Sequence, residues 1–415
     1  MRPNSLTPAV LSGSLILSLG ALVGIAGTNG PKGTQQEPAL SKQDHTVAFE
    51  LYQNLVFLPV RLKGSEPSTF LLDTGASVSF LNQALAHSLG LEVKHQRESN
   101  IGTGEASTRM GFAKDLAFGV SGVDIPAKHV GVVQLADLES TLGRTINGIL
   151  GADLFKSYVV TIDYAARKVT LEDPKHYAYH GNGDLIPLRL SGDRPFVRAT
   201  VTPVRSDPIE GLFVIDTGDD STLGLHTPFV EKYRLRSSNQ KMIPHLSHGM
   251  SGESRNWRGR VASLKLGTFT IDHPVATFAE ATKGSEADRS YDGVLGGEIL
   301  RRFKVTFDYS RRQMILEPNE AFSEAYEFDM SGVSLVTQGS DFKTIGVRHV
   351  LADSPASEAG LKEGDTLETI DEKPAASLGL EQIEHMFKKD GREYVLGVTR
   401  GDAQIQVRMK IRRLI

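Results

Sequence analysis

The chain has 415 residues, 40% hydrophobic and 23% charged, enough for two or three domains with real cores and ordinary for a globular protein. Its formal net charge is -4 with no long run of one sign, so nothing marks it for nucleic acid or for an anionic membrane surface. It contains no cysteine, which excludes a disulfide framework, a thiolate nucleophile and a Cys-based zinc or iron–sulfur site.

Residues 1–27 read as a secretory signal: Arg2, then an uncharged and mostly apolar run diluted by Ser and Gly, then small residues around Gly24 to Gly27. Ala9 to Ala26 also approaches the length of a membrane span, so an uncleaved anchor is the competing reading. The remainder is expected to be exported, periplasmic or secreted, or membrane-tethered if the signal stays on. Residues 28–46, rich in Pro, Gly, Gln and Lys, predict a flexible linker.

The stretch NLVFLPVRL from Asn54 predicts a strand entering a hairpin, and FLLDTGASVSFLN feeds an apolar strand into Asp73-Thr74-Gly75. A lone Asp-Thr-Gly is an ordinary turn, because Asp and Gly are favoured there by local hydrogen bonding and positive φ. Asn82 then caps a short helix that Gly90 ends, IGTGEAST forms a hairpin tip, and NGILGADLF makes an apolar-apolar-Gly turn. The alternating YVVTIDYAARKVTLED closes this half as a strand and hairpin.

The same order then recurs. FVRATVTPV is a strand, FVIDTGDDSTLGL delivers Asp216-Thr217-Gly218, Thr227-Pro228 starts a helix as cap and first residue, and HGMSGESR is a second Gly-rich tip. DGVLGGEIL repeats the apolar-apolar-Gly turn, and FKVTFDYSRRQMILEP repeats the closing hairpin, with Asp308 at the offset of Asp163. Two such halves describe a duplicated all-β unit paired about a pseudo-two-fold axis. Between them His245 and His248 read as surface histidines of a loop, since Pro244 and nearby Gly and Ser break any helix, and the Arg301-Arg302 and Arg311-Arg312 pairs read as solvated hairpin faces. There is no Gly-x-Ser-x-Gly elbow, no P-loop and no zincin pattern.

On the paired Asp-Thr-Gly motifs and their matching Gly turns, the chain resembles the pepsin and retropepsin-like aspartic proteases over roughly Val47 to Pro318, and FLLDTGAS is most similar to the retroviral-type motif. The resemblance implies Asp73 and Asp216 as a catalytic pair. Two carboxyls within hydrogen-bonding distance cannot both ionise cheaply, so the pair keeps one proton and supplies both a base for water and an acid for the scissile carbonyl. It further implies that Thr74 and Thr217 bond across the pseudo-two-fold and that Gly75 and Gly218 let backbone approach the carboxylates. Ser77 is then expected to bond the outer oxygen of Asp73, and Gly151 and Gly296 to pack beside the active loops. Tips at Thr103-Gly104 and Met250-Ser251 become flaps. The second site departs from the pattern with Asp219 and Asp220 after its glycine, which would raise the pair's pKa values if either faces it, and the first tip lacks the tyrosine often found on a pepsin flap.

From about Asp329 the composition shifts, and SPASEAGLKEGD resembles part of a PDZ domain that extends to Ile415. Ser354-Pro355 opens a short helix ended by Gly360, and a second helix near Leu380 to Lys389 has Leu380, Ile383, Met386 and Phe387 on one stripe. The resemblance implies a peptide groove with its carboxylate loop at Ser331 and at Gly332, Val333, Ser334 and Leu335. The expected organisation is a signal (1–27), a linker (28–46), two pseudo-symmetric protease lobes (47–182 and 183–320) and a PDZ domain (329–415), mainly β throughout. Function narrows to an exported aspartic endopeptidase acting as a monomer on peptide or protein, without metal or other cofactor, or to a non-catalytic peptide binder on the same scaffold.

Overall fold

The computed structural model of the chain describes residues 45–62, 64–236 and 241–415. The predicted signal, and the predicted linker up to residue 44, lie outside these residues. The linker's last two residues belong to strand His45–Ala48.

The described chain is mainly β, and its strands fall into four sheets. The first half is built on strand Ser68–Leu72, which runs parallel to Gly148–Leu150; that strand pairs antiparallel with Phe80–Asn82, which runs parallel to Val123–Val133. The second half repeats this in the same directions with Ile209–Ile215, Gly293–Leu295, Leu223–Leu225 and Val275–Ala279. The sequence repeat is therefore a repeat of topology. Each Asp-Thr-Gly leaves the end of a strand at the point where the chain must turn past its parallel neighbour.

A six-stranded sheet joins the halves, in the order His45–Ala48, Lys168–Glu172, Val159–Asp163, Phe303–Asp308, Gln313–Pro318, Asp184–Pro187. Its two central strands are the closing strands of the two repeats, paired antiparallel with Thr161 opposite Thr306, whose hydroxyls meet at 2.9 Å. The equivalent Asp163 and Asp308 anchor the following turns: their carboxylates accept the N–H of Ala166 at 2.8 Å and of Arg311 at 3.0 Å. Apolar side chains on these strands are fully buried, with Phe307 edge-on to Phe155 at 5.4 Å.

The C-terminal sheet runs Val333–Gln338, Thr344–Val350, Thr366–Ile370, Glu393–Arg400, Ala403–Lys410. Helix Pro355–Glu358 is capped by Ser354 in a reciprocal capping box. The second helix spans Ala375–Met386, starting earlier than its apolar stripe suggests, because the chain is kinked at Gly379 (φ 72). Asp365 is buried and accepts two bonds from Arg400, at 2.6 and 2.7 Å, which fixes the Gly364-Asp365 turn.

Two sequence expectations are corrected. His245 and His248 lie on strand Ile243–Gly249, half-buried, rather than on a surface loop; the strand is at the edge of its sheet, where Pro244 does not interrupt a ladder. Arg302 is not on a solvated hairpin face. It is 0% exposed, donates to Glu298 Oε1 at 2.7 Å and to the carbonyls of Glu298, Ala321, Glu324 and Ala325, and its guanidinium lies 3.6 Å from the centroid of the Tyr326 ring. Glu298→Ala strands that cation in the interior, and chemical denaturation is expected to show a loss of about 3–5 kcal/mol.

Candidate active site

Strands Ser68–Leu72 and Ile209–Ile215 deliver the two Asp-Thr-Gly turns to one place. Backbone bonds from Asp73 N to Leu150 O and from Asp216 N to Leu295 O, both 3.0 Å, hold each aspartate against the Gly turn of its own half. The threonines then lock the halves together. Thr74 N–H donates to Thr217 Oγ1 and Thr217 N–H to Thr74 Oγ1, each at 3.0 Å, while Thr74 Oγ1 donates to Ile215 O at 2.7 Å and Thr217 Oγ1 to Leu72 O at 2.8 Å. Both threonines are fully buried, so all four bonds are shielded from water.

The glycines determine how close the halves approach. A Cβ on Gly75 would lie 2.3 Å from Asp216 Oδ2, and one on Gly218 would lie 2.4 Å from Asp73 Cγ, so each turn closes on the other half's carboxyl only because no side chain intervenes. Asp73 Oδ1 accepts the N–H of Gly75 at 2.7 Å and of Ala76 at 3.0 Å, and Asp216 Oδ1 accepts that of Gly218 at 2.8 Å. The two carboxyls thus sit close enough for each to perturb the other's ionisation. Burial raises both above the usual carboxylate range. Asp216 is raised well above it because the charges of Asp73 and Asp219 add to its desolvation.

Gly151 donates its N–H to Ser79 Oγ at 3.1 Å and Gly296 donates to Thr222 O at 3.2 Å, placing both turns beside the aspartate loops. Ser77 does not take the expected role: its side chain is exposed and bonds nothing on Asp73, whose Oδ1 is held instead by the N–H groups of Gly75 and Ala76. Asp219 faces inward. It accepts Ser221 N–H at 2.7 Å, and its charge raises both members of the pair. Asp220 keeps an exposed edge towards the cleft and points to the PDZ side, where crowding by the walls, and then Asp219, pushes its carboxyl up to about 6.

The two hairpin tips meet over this site. Ile101 N–H donates to Ser251 Oγ at 2.8 Å and Ser251 Oγ donates to Ile101 O at 2.9 Å; Ser251 N–H donates to Thr103 O at 3.0 Å, and Thr108 Oγ1 to Met250 O at 2.6 Å. Gly104 lies in the same contact, against the backbone of Ser251, where a Cβ would come within 2.3 Å of Ser251 O. The cleft beneath them, about 920 Å³, is lined by Asp73, Asp216, Thr103 and Met250 from the halves and by Gly332, Val333, Ser334 and Leu335 from the C-terminal domain. Sequence reasoning missed Arg258 and Lys388, which line it too; Arg258 sits on a strand whose alternation gives no sign that one face borders a cleft.

Thr217→Val removes one hydroxyl and leaves Leu72 C=O and Thr74 N–H buried without partners. Urea unfolding is expected to lose about 2–5 kcal/mol. Ser77→Ala, exposed and unbonded, is expected to change stability by less than about 0.5 kcal/mol in the same assay.

Comparison with known proteins agrees with this construction. Residues 58–154 and 202–299 match the aspartyl protease family, once for each half, and residues 330–411 match the PDZ domain family. The chain is 25% identical over 166 residues to a probable CtpA-like serine protease of Staphylococcus haemolyticus, a match covering 40% of this chain and 31% of that protein, so the chain spans under a third of that relative's length. The chain thus consists of two halves that each match the aspartyl protease family, followed by a domain that matches the PDZ family.

Proposed function

We propose that the protein hydrolyses peptide bonds with an Asp73/Asp216 dyad and an activated water. The observation that carries this reading is geometric: crossed threonine bonds bring the two Asp-Thr-Gly turns together so that Gly75 lies against the Asp216 carboxyl and Gly218 against the Asp73 carboxyl, both lining one cleft. Such a pair holds one proton over a pH interval. The ionised member takes a proton from water as its oxygen adds to the scissile carbonyl carbon, and the protonated member supplies a proton to the carbonyl oxygen. Collapse of the tetrahedral species breaks the C–N bond and leaves the proton on the departing amine. The proton belongs to the pair, and the charge of Asp219 favours its retention on both members.

The serine chemistry in the name of the Staphylococcus relative has no counterpart that supports it here. Among the described residues, the hydrogen bonds of serine hydroxyls go to backbone, carboxylates, amides and one guanidinium, and none to a histidine or lysine that would activate a nucleophile. One chain supplies both aspartates, so the proposed active unit is a monomer. The export signal read in residues 1–27 places this activity outside the cytoplasm in the same proposal.

Asp73→Asn and Asp216→Asn are each expected to reduce peptide-library cleavage at least 100-fold, roughly the lower bound of a general acid–base contribution. Peptide binding without cleavage by the unaltered chain would instead support a non-catalytic binder. The pH profile carries a second expectation. A negative Asp219 makes it harder to ionise either dyad member, so Asp219→Ala lowers both pKa values and moves both limbs of the rate profile towards acid. An unchanged profile would separate Asp219 from the chemistry.

A further inference from the structure

The two halves can be compared position by position, because their strands keep one register around the dyad. Phe57 pairs with Leu71, two residues before Asp73, and Phe196 pairs with Val214, two residues before Asp216. Leu71 in turn lies beside Ile149, and Val214 beside Val294. Counting back two residues from each phenylalanine, which keeps to the same face of the strand, matches Leu55 with Arg194. Continued that far, the register sets Leu55 across from Asp73 and Arg194 across from Asp216. Both line the cleft, as do Leu71, Ile149, Val214 and Val294. At these three positions the first half presents only apolar side chains, and the second presents a cation.

Arg194 is half-buried, and no carboxylate among the described residues lies within ion-pair distance of it. Its one hydrogen bond there is to Tyr291 Oη at 3.5 Å. The guanidinium stands 5.3 Å from the ring centroids of both Phe196 and Tyr291, and Tyr291 also lines the cleft. The acidic groups around it are engaged elsewhere: Asp193 accepts Lys156 Nζ at 2.8 Å, Asp288 accepts Ser290 N–H at 2.8 Å, and Asp216 accepts Gly218 N–H at 2.8 Å. The first half supplies the contrast. Arg144 lies 3.8 Å from the ring centroid of Phe57, the match of Phe196, but it is paired with Glu50 at 2.9 Å. A guanidinium steadied by two rings, partly stripped of water and left with free N–H donors is a receptor for a carboxylate.

We propose that the cleft selects peptides with an acidic side chain immediately beside the scissile bond, its carboxylate bonded by Arg194 and Tyr291 Oη, and an apolar side chain on the other side of that bond. The proposal rests on the hydrolase reading and adds its substrate class. An acidic side chain this near the dyad and Asp219 is repelled unless a cation meets it, so Arg194 supplies an attraction and offsets a repulsion at once. The acidic side chain takes no part in the bond changes: water adds across the C–N bond, and the carboxylate leaves on one of the two products.

The test begins with a mixed peptide library cut by the full chain at about pH 5, where a free glutamate carboxyl is mostly ionised, and read by mass spectrometry. Acidic residues are expected on one side of the cuts and apolar residues on the other. One cleaved sequence is then compared with its Glu→Gln counterpart, and kcat/KM is expected to be about tenfold or more higher for glutamate, the size of one charge-assisted hydrogen bond. Arg194→Leu, which gives this position the residue type of Leu55, should bring the ratio to one or below, and Arg194→Lys should keep part of it. Both peptides are measured on one preparation, so any unfolded fraction cancels. A role of Arg194 confined to the charge of the dyad would slow both peptides equally. A ratio unmoved by Arg194→Leu, or cuts with no acidic residue enriched beside them, overturns the proposal and leaves the hydrolase reading standing. If the unaltered chain cuts nothing, the hydrolase reading fails, and binding of fluorescent glutamate peptides and their Glu→Gln counterparts decides recognition by itself. A preference for glutamate that Arg194→Leu abolishes supports it, and equal binding ends it.

Discussion

Everything in this molecule depends on keeping two carboxyls in contact that would separate if left to their charges. Apposed carboxylates in a desolvated cleft repel strongly, and the fold answers by raising Asp73 and Asp216 above the usual carboxylate range and by fixing the backbone that carries them. The fixing is done by the crossed threonine bonds, which satisfy four buried backbone groups with two hydroxyls. Because each hydroxyl serves both halves, the halves cannot separate at this point without stranding polar groups in the interior. The pseudo-two-fold axis is therefore a chemical requirement as much as a record of duplication.

The rest of the architecture reinforces that axis at increasing distance from it. The central pair of the six-stranded sheet places Thr161 against Thr306 by the same symmetry, and the hairpin tips exchange hydrogen bonds through Ser251, Ile101 and Thr103. Symmetry is broken where function calls for asymmetry. Ala76 of the first half is matched by Asp219 in the second, and an inward negative charge on one side alone makes the two aspartates unequal.

Much of this was legible in the sequence because it recurs. A single Asp-Thr-Gly is an ordinary turn; two, each followed by an apolar-apolar-Gly turn and an alternating hairpin, define the parallel strand pairs that the structure contains. What escaped was whatever depends on residues distant in the chain. Arg302 looked solvated because its sink is made by the carbonyls of Ala321, Glu324 and Ala325 and the ring of Tyr326, none of them part of its hairpin. Pro244 suggested a loop because sequence does not reveal which strand lies at a sheet edge. Ser77 has the residue type for its expected role, but Asp73 is already served by two N–H groups that the turn presents without any side chain.

The contact of the PDZ domain with the protease halves left no periodic trace either, yet it bears on how the cleft opens. Glu253, three residues beyond the Met250 tip, accepts Arg348 at 2.6 Å and lies 3.5 Å from His349, both on PDZ strand Thr344–Val350, while His248 of its own hairpin bonds it at 2.9 Å. The second hairpin tip is thus tied to the PDZ domain, which is itself held to the first half through Ser140 and Gln53. Lifting that tip either breaks the Glu253 ion pairs or carries the PDZ domain with it and strains its seat on the first half. The two motions share one free-energy balance, so whatever occupies the PDZ wall biases the tip, and a substrate in the cleft biases the wall by the same amount.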